Sequence, residues 1–327
     1  MKRHKICKII LAILAVFLCV AFYELIGICI TYKKQPAVSD ATIKETQNIM
    51  SVAGRENTER AVIIEKNSQA LLERVRLIQN AKDEIILSTF AFKSDESGKL
   101  ILGALHDAAD RGVHVRILVD GMESWIDMEG NPYFYGLSSH ENVEIKLYNK
   151  ANPLKPWKTM GRMHDKYLIA DGKIYILGGR NTYNYFLGDF PGHKNFDRDV
   201  LVVCDEPQKD NSVNQLWNYF ETIWEQEDCR YFHNSKKLAD RQSVKKAVLE
   251  LQEGYQQYFE VNKEKICDTD YADETFETEK ITLLSNPIHT QAKEPVVWYQ
   301  LGELMKNAKE RVKIHTPYII CNDMMYN

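Results

Sequence analysis

Between residues 61 and 149 the hydrophobic period of the chain switches repeatedly from that of a strand to that of a helix, and this alternation limits the fold more than any other feature. AVIIEK (61–66) has the β-branched apolar character of a strand. SQALLERVRLIQNAK (68–82) follows, with Leu71, Leu72, Val75 and Ile78 at helical spacing. EIILSTFAF is a buried strand, GKLILGALHDAADRG a second helix closed by Gly112, VHVRILVD another strand and NVEIKLYN one more. Parallel neighbours need a crossover of a dozen or more residues, which these helices supply. The pattern predicts an α/β layer with a substantially parallel sheet. One more long helix is expected over NSVNQLWNYFETIWEQE.

A second constraint follows at MHDKYLIADGKIYILGGRN (163–181). Two apolar runs flank Asp171-Gly172, a two-residue turn with both central residues at positive φ, so the segment reads as a hairpin. Alternate strand residues share a face, which places His164 and Lys166 on one side about 6.6 Å apart. A two-residue turn sets His164 opposite Gly179 and Lys166 opposite Leu177. Gly178 and Gly179 then leave room beside the imidazole for a substrate group. Asn181 can offer an amide to an oxyanion. Together these groups suit attack at phosphorus: neutral imidazole is a nucleophile, an ammonium stabilises the non-bridging oxygens, and an amide adds a hydrogen bond. Asp171, of opposite parity to His164, takes a supporting part in this catalytic set. A plain surface hairpin would require H-x-K-x4-D and G-G-x-N to coincide by chance.

The organisation of the remainder turns on a near-repeat. LIQNAKDEIILST (77–89) aligns without gaps on LMKNAKERVKIHT (304–316), each a helix running into an apolar strand. The expected domains are an N-terminal tail and anchor (1–34), a tether (35–58), a first α/β domain (59–230), an acidic connector (231–280) and the beginning of a second domain (281–327). Within the connector, 252–280 is polar and acidic with scattered aromatics, offering few positions to a core. At the offset of the repeat, a partner for His164 would fall near about position 391. The chain is therefore expected to hold one complete half and the start of another.

The anchor is the apolar stretch Ile9 to Tyr32, broken only by Glu24 and long enough to cross a bilayer. No small-x-small cleavage site follows Tyr23, as a cleaved signal would require. Lys2, Arg3, Lys5 and Lys8 precede the span, and Lys33 and Lys34 follow it. That balance predicts a single-pass cell-membrane protein with its body outside the cytoplasm. Without these residues and Glu24, 36 basic face 45 acidic residues, a balance of −9. Such a body is poorly suited to gripping a nucleic-acid backbone. Of seven cysteines, Cys7, Cys19 and Cys29 lie in or beside the anchor. The others form no C-x-x-C pair, so neither a metal site nor a disulfide framework is indicated.

HDKYLIAD, GGRN, YFLG and FDRD, with the upstream DESGKLILGALHDAADRGVHVRILVD and TPYI near 316, resemble the phospholipase D superfamily, in particular bacterial cardiolipin synthases and related phosphatidyltransferases. The resemblance covers residues 60–205 and again 281–327. It implies an α/β/α sandwich in each of two halves that share one active site at a pseudo-twofold interface. It implies also that one histidine becomes phosphohistidine and the other acts as general acid, with no metal or other cofactor. His164 would take one of these roles. Lys166 and Asn181 match phosphate-binding positions, and Asp197 an acidic position that orients the histidine. A serine is common where Gly179 stands, relatives often have two membrane spans, and Cys321 replaces a proline. Other histidines are assigned lesser parts: His106, His114 and His315 structural, His193 in a loop near the site. Trp125, Trp157, Tyr183, Tyr185 and Phe186 are candidates to line a lipid channel.

Three functions are consistent with this reading. The first is a membrane-anchored phosphatidyltransferase acting on a phosphatidylglycerol-like phospholipid, with an alcohol or water as acceptor. The second is a phosphodiesterase or nuclease whose site is completed by homodimerisation. The third is an inactive anchored scaffold.

Overall fold

The computed structural model describes residues 2–51, 59–206, 210–233 and 235–314. In chain order these form α1 (Lys2–Tyr32), α2 (Asp40–Ser51), β1 (Glu59–Ile64), α3 (Asn67–Asn80), β2 (Glu84–Thr89), α4 (Glu96–Asp110) and β3 (His114–Asp120). Next come α5 (Gly121–Asp127), α6 (Pro132–Ser138), β4 (Val143–Tyr148), a 3-10 turn (Pro156–Lys158), β5 (Tyr167–Ala170), β6 (Ile174–Gly178) and β7 (Asp199–Cys204). The remainder is α7 (Ser212–Trp224), β8 (Cys229–Tyr231), α8 (Lys236–Ala239), α9 (Gln242–Ile266), β9 (Phe276–Glu277) and α10 (Val296–Lys306).

The strands form one mixed sheet in the order β8-β4-β3-β2-β5-β6-β7-β1-β9. The α/β sandwich is as expected, but its parallel part is confined to β2-β3-β4, the strands linked by crossover helices. The other pairings are antiparallel, and of these β5–β6 is a hairpin closed by a short turn. Alternation along each strand feeds two cores. Ile85 and Leu87 of β2, with Val115, Ile117 and Val119 of β3, face α3, α4, α6 and α9. Ile86, Leu118, Tyr167, Ile169 and Val202 pack against Leu216, Phe220 and Trp224 of α7 on the opposite face.

The segment expected to be a connector is instead part of this domain. Helix α9 buries Val244, Ala247, Leu251 and Tyr255, a stripe at helical spacing. Burying side chains of this kind contributes on the order of 1.5–3 kcal/mol each for the larger ones. The close approach is made at Gly103 of α4, where a Cβ would meet the Leu251 carbonyl at 2.6 Å and Tyr255 Cβ at 2.7 Å. Tyr271 is buried beyond the helix, and β9 pairs with β1 at the sheet edge. Of the acidic residues that suggested a linker, Glu253, Glu260 and Glu264 lie on the solvent side of a docked helix, and the others follow it.

Two compact units divide the chain: residues 1–34, 54–283 and 288–292 make the larger, and 35–53, 284–287 and 293–327 the smaller. Ile281, Leu283 and Ile288 pack against the α7 core, so the expected boundary at 281 falls inside the larger unit. Within the smaller unit, the expected tether forms the twelve-residue α2. Glu294 holds it, accepting from the Ser39 amide at 2.7 Å and the Thr42 hydroxyl at 2.6 Å. Helix α10 ends at Lys306, so only residues 304–306 of the near-repeat are helical, and residues 311–314 are exposed and belong to no strand. His315, TPYI and Cys321 lie outside the described residues.

Gly103→Val should lower stability by ~1–3 kcal/mol through overpacking against α9, read from the urea midpoint. An unchanged midpoint would mean that α9 is not docked on α4.

Candidate active site

Hairpin β5–β6 carries the motif with a register one residue off the expected one. Asp171 and Gly172 have φ of 52° and 60°, and the Lys173 amide donates to the Ala170 carbonyl at 3.0 Å. Lys173 is then an extra residue, so Ala170 pairs with Ile174 and Tyr167 with Leu177. The turn is of the expected kind, but a bulge follows it. Lys166 therefore stands beside Gly178, whose amide donates to the Lys166 carbonyl at 3.1 Å, and not opposite Leu177. In the same register His164 lies level with Arg180, not Gly179.

The stretch before β5 is held from the carboxyl ends of the parallel strands. Asp120, fully buried at the end of β3, accepts from the Met163 amide at 3.2 Å and pairs with the Arg162 guanidinium. The oxygen that meets Arg162 also accepts from the Met122 and Glu123 amides, capping α5. Asn149 donates at 2.7 Å to both the Lys158 and Gly161 carbonyls. His164 is thus placed at the carboxyl-terminal edge of the sheet, the usual position of ligand sites in open α/β folds.

At that edge a histidine, a lysine and a phenylalanine form one cluster. The His164 ring stands edge-on to Phe90, centroids 4.6 Å apart. The Lys166 ammonium lies 5.4 Å above the same ring and donates to the His164 carbonyl at 2.6 Å. Partial desolvation, with the Lys166 cation adding to it, holds the His164 pKa below its ordinary 6.5. The imidazole is therefore neutral near pH 7. Lys166 is only 4% exposed, and burial pushes its pKa down to about 8 against the opposing pull of Asp165 and Asp197.

The two glycines serve a purpose other than the one expected. A Cβ at Gly179 would collide with the Asp197 carboxylate, and one at Gly178 with the Asp199 carboxylate. The space beside the hairpin belongs to these acids. Asp197 faces solvent, accepts from the Arg198 amide at 2.8 Å and favours the Lys166 ammonium. Asp199 is fully buried between Arg74 at 3.0 Å and Arg180 at 3.2 Å. Arg180 also donates to Asn67 and to the Ile64 and Glu65 carbonyls. Asn181 is buried and accepts from the Ala91 amide at 3.3 Å, beside the Phe92–Thr182 bridge.

Asp171 is not brought to His164. Its carboxylate accepts from the Lys82, Asp83 and Glu84 amides at 2.8–3.2 Å, latching the turn before β2 at the opposite end of β5. His193 shares a hydrogen bond with Asn195 and stands edge-on to Tyr185, within its own loop. His106 and His114 pair with Asp110 and Glu144. Tyr183 packs on Tyr185 and Phe186, while Trp125 and Trp157 are exposed. Sequence reading missed Phe90, Arg180, Asp120 and Asp199. Only Asp199 had a visible signal, as the second acid of FDRD on the same strand face as Asp197.

The arrangement is that of an α/β protein holding a neutral imidazole and a buried ammonium at one sheet edge. The chain is similar to the phospholipase D superfamily. Residues 75–224 match the family described as "Cardiolipin synthase, PLD-like domain". An uncharacterized protein of Helicobacter pylori (strain ATCC 700392 / 26695) is 27% identical over 81% of this chain and 55% of its own length. Cardiolipin synthase C of Escherichia coli (strain K12) is 29% identical over 43% of this chain and 31% of its own. The chain thus spans about half or less of the length of these relatives. NucT from Helicobacter pylori resembles 53% of this chain with 99% of its own, at 17% identity and a TM-score of 0.41.

Asp171→Ala should lower stability by ~1–2 kcal/mol, as loss of a cap does, without changing turnover per folded molecule. Asp199→Asn should cost ~3–5 kcal/mol by leaving Arg74 and Arg180 without their counter-charge, measured by denaturant unfolding.

Proposed function

We propose that the protein is a membrane-anchored phosphatidyltransferase, similar in reaction to cardiolipin synthases, that acts on a phosphatidylglycerol-like phospholipid. The observation that carries this reading is the neutral His164 imidazole beside the buried Lys166 ammonium at the exposed sheet edge. Helix α1 supports a lipid substrate. Its residues His4–Tyr32 are long and apolar enough to cross a membrane, and its large apolar side chains from Ile6 to Ile26 are exposed. The −9 balance of the body supports the same choice.

In the proposed reaction an imidazole nitrogen of His164 attacks phosphorus. The bond to the leaving alcohol breaks, and that oxygen takes a proton from a general acid. Lys166 holds the non-bridging oxygens. An alcohol or water, deprotonated by the same acid–base group, then attacks the phosphohistidine and releases His164. Its depressed pKa suits His164 to the nucleophilic part rather than the acidic one. In-line displacement puts nucleophile and leaving group on opposite sides of phosphorus, so His164 cannot also protonate the leaving group. A second motif must supply the acid, from another part of the polypeptide or from a second copy in a homodimer. Asn181 completes the phosphate-binding set, and Asp197 supports it as the acid beside the Lys166 ammonium.

Vesicles containing phosphatidylglycerol test the reading: the full-length protein should form cardiolipin or phosphatidic acid, and His164→Ala should lower the rate roughly a thousandfold or more. Cleavage of single-stranded oligonucleotides without lipid turnover would replace this function with that of a nuclease. Turnover should depend on pH in a bell-shaped way. It rises as His164 loses its proton, with a midpoint below 6.5, and falls near pH 8 as Lys166 loses its own. Lys166→Arg should remove the alkaline limb from any residual activity, because guanidinium does not titrate there.

A further inference from the structure

The segment leading into His164 is also the one that receives α1. At Gly27 a Cβ would meet the Pro156 ring at 2.6 Å, so helix and 3-10 turn are in close contact. The Tyr23 hydroxyl donates to the Leu154 carbonyl at 3.4 Å, and the Thr159 hydroxyl to the Glu24 carboxylate at 3.1 Å. The Tyr32 hydroxyl donates to the Thr290 carbonyl at 2.8 Å. These contacts fix residues 154–159 at a defined height along the helix. At 1.5 Å per residue, the turns from Ile6 to Tyr23 span about 26 Å, most of a bilayer's hydrocarbon thickness of about 30 Å. The docked loop then lies where hydrocarbon gives way to headgroups.

Its side chains match that level. Leu154 is 77% exposed, Met160 57% and Trp157 41%, on a connection that has no reason to carry apolar groups into water. A cavity of about 310 Å³ lies between α1 and this loop, with Glu24, Ile28, Met122, Lys150, Lys155 and Arg162 among its lining. Helix α5, which contributes Met122, also exposes Trp125 at 63% and Ile126 at 62%. Lys158 is tied to Asp228 at 2.5 Å, and Lys150 and Lys155 add positive charge at the rim. Exposed tryptophan interleaved with lysine is the composition of a membrane interface, and lysine there favours anionic lipid. In a body with a balance of −9, this local excess of lysine is notable.

We propose that residues 150–160 and the exposed side of α5 form an interfacial collar around the exit of α1, through which the body itself rests on an anionic phospholipid surface. This rests on the reading of α1 as a membrane span. Continuity with α1 and the lysine rim select a lipid surface as the occupant. Met160 is four residues from His164, so the collar seats the reactive imidazole near the headgroups and the lipid phosphate need not leave the interface.

The test is tryptophan quenching in the full-length protein, reconstituted in vesicles of phosphatidylcholine and phosphatidylglycerol with brominated acyl chains. Wild-type emission should be blue-shifted and strongly quenched, and Trp125→Phe/Trp157→Phe should lose most of that quenching. Lys150→Glu/Lys155→Glu should reduce it only in vesicles containing phosphatidylglycerol. Quenching left intact by the tryptophan double variant would overturn the collar, as would wild-type emission indifferent to bromination. Carbonate extraction separates the two readings. Protein that stays in the membrane with Trp125 and Trp157 unquenched refutes the collar alone, whereas protein released from the membrane refutes the anchor and the collar together.

Discussion

One buried charge cluster ties the domain together. Asp199 has no exposure, and its carboxylate is shared by Arg74 of α3 and Arg180 at the end of β6. Arg180 in turn bonds to the last carbonyls around β1 and to Asn67 at the start of α3. Four elements therefore meet at one ionised group. Such a group is tolerated only while its partners stay in place, because an uncompensated charge in the interior costs several kcal/mol. Sliding β6 past β7 by one residue would separate these partners as well as turn each side chain to the other face.

The site depends on that register. Gly178 is bare backbone because the Asp199 carboxylate fills the place of a side chain, and Asp197, two residues earlier, lies over Gly179. Lys166 is drawn beside this pair by the bulge at Lys173. From the other side, Asp120 and Asn149 hold the stretch that ends in His164. Phe90 then packs against both the imidazole and the ammonium. The low polarity that lowers both pKa values comes from the way these strand ends close on one another.

The repeating elements were legible because periodicity is a local property. Leu71, Leu72, Val75 and Ile78 announce α3, and Gly112, at a φ of 94°, closes α4 as expected. What failed depended on partners distant in sequence. The stripe Val244, Ala247, Leu251 and Tyr255 was hidden among acids that merely coat its solvent side, and only Gly103 reveals what it packs against. A turn dipeptide identifies a hairpin but not whether a residue bulges after it, so the register was missed by one. His164 and Lys166 were readable as a pair on one strand. Asp171 was read as chemistry because it shares a motif with them, although its three amide contacts lie at the far end of β5.

The contact between Gly179 and Asp197 has an evolutionary corollary. A hydroxymethyl group at position 179 would occupy the volume now held by the carboxylate, so a serine there requires the acid to rotate away or be replaced. Neither position can change freely while the other stays as it is. Across sequences built on this hairpin the two sites should show epistasis, with a side chain at the second glycine accompanied by a different residue, or a different rotamer, at the first acid of FDRD.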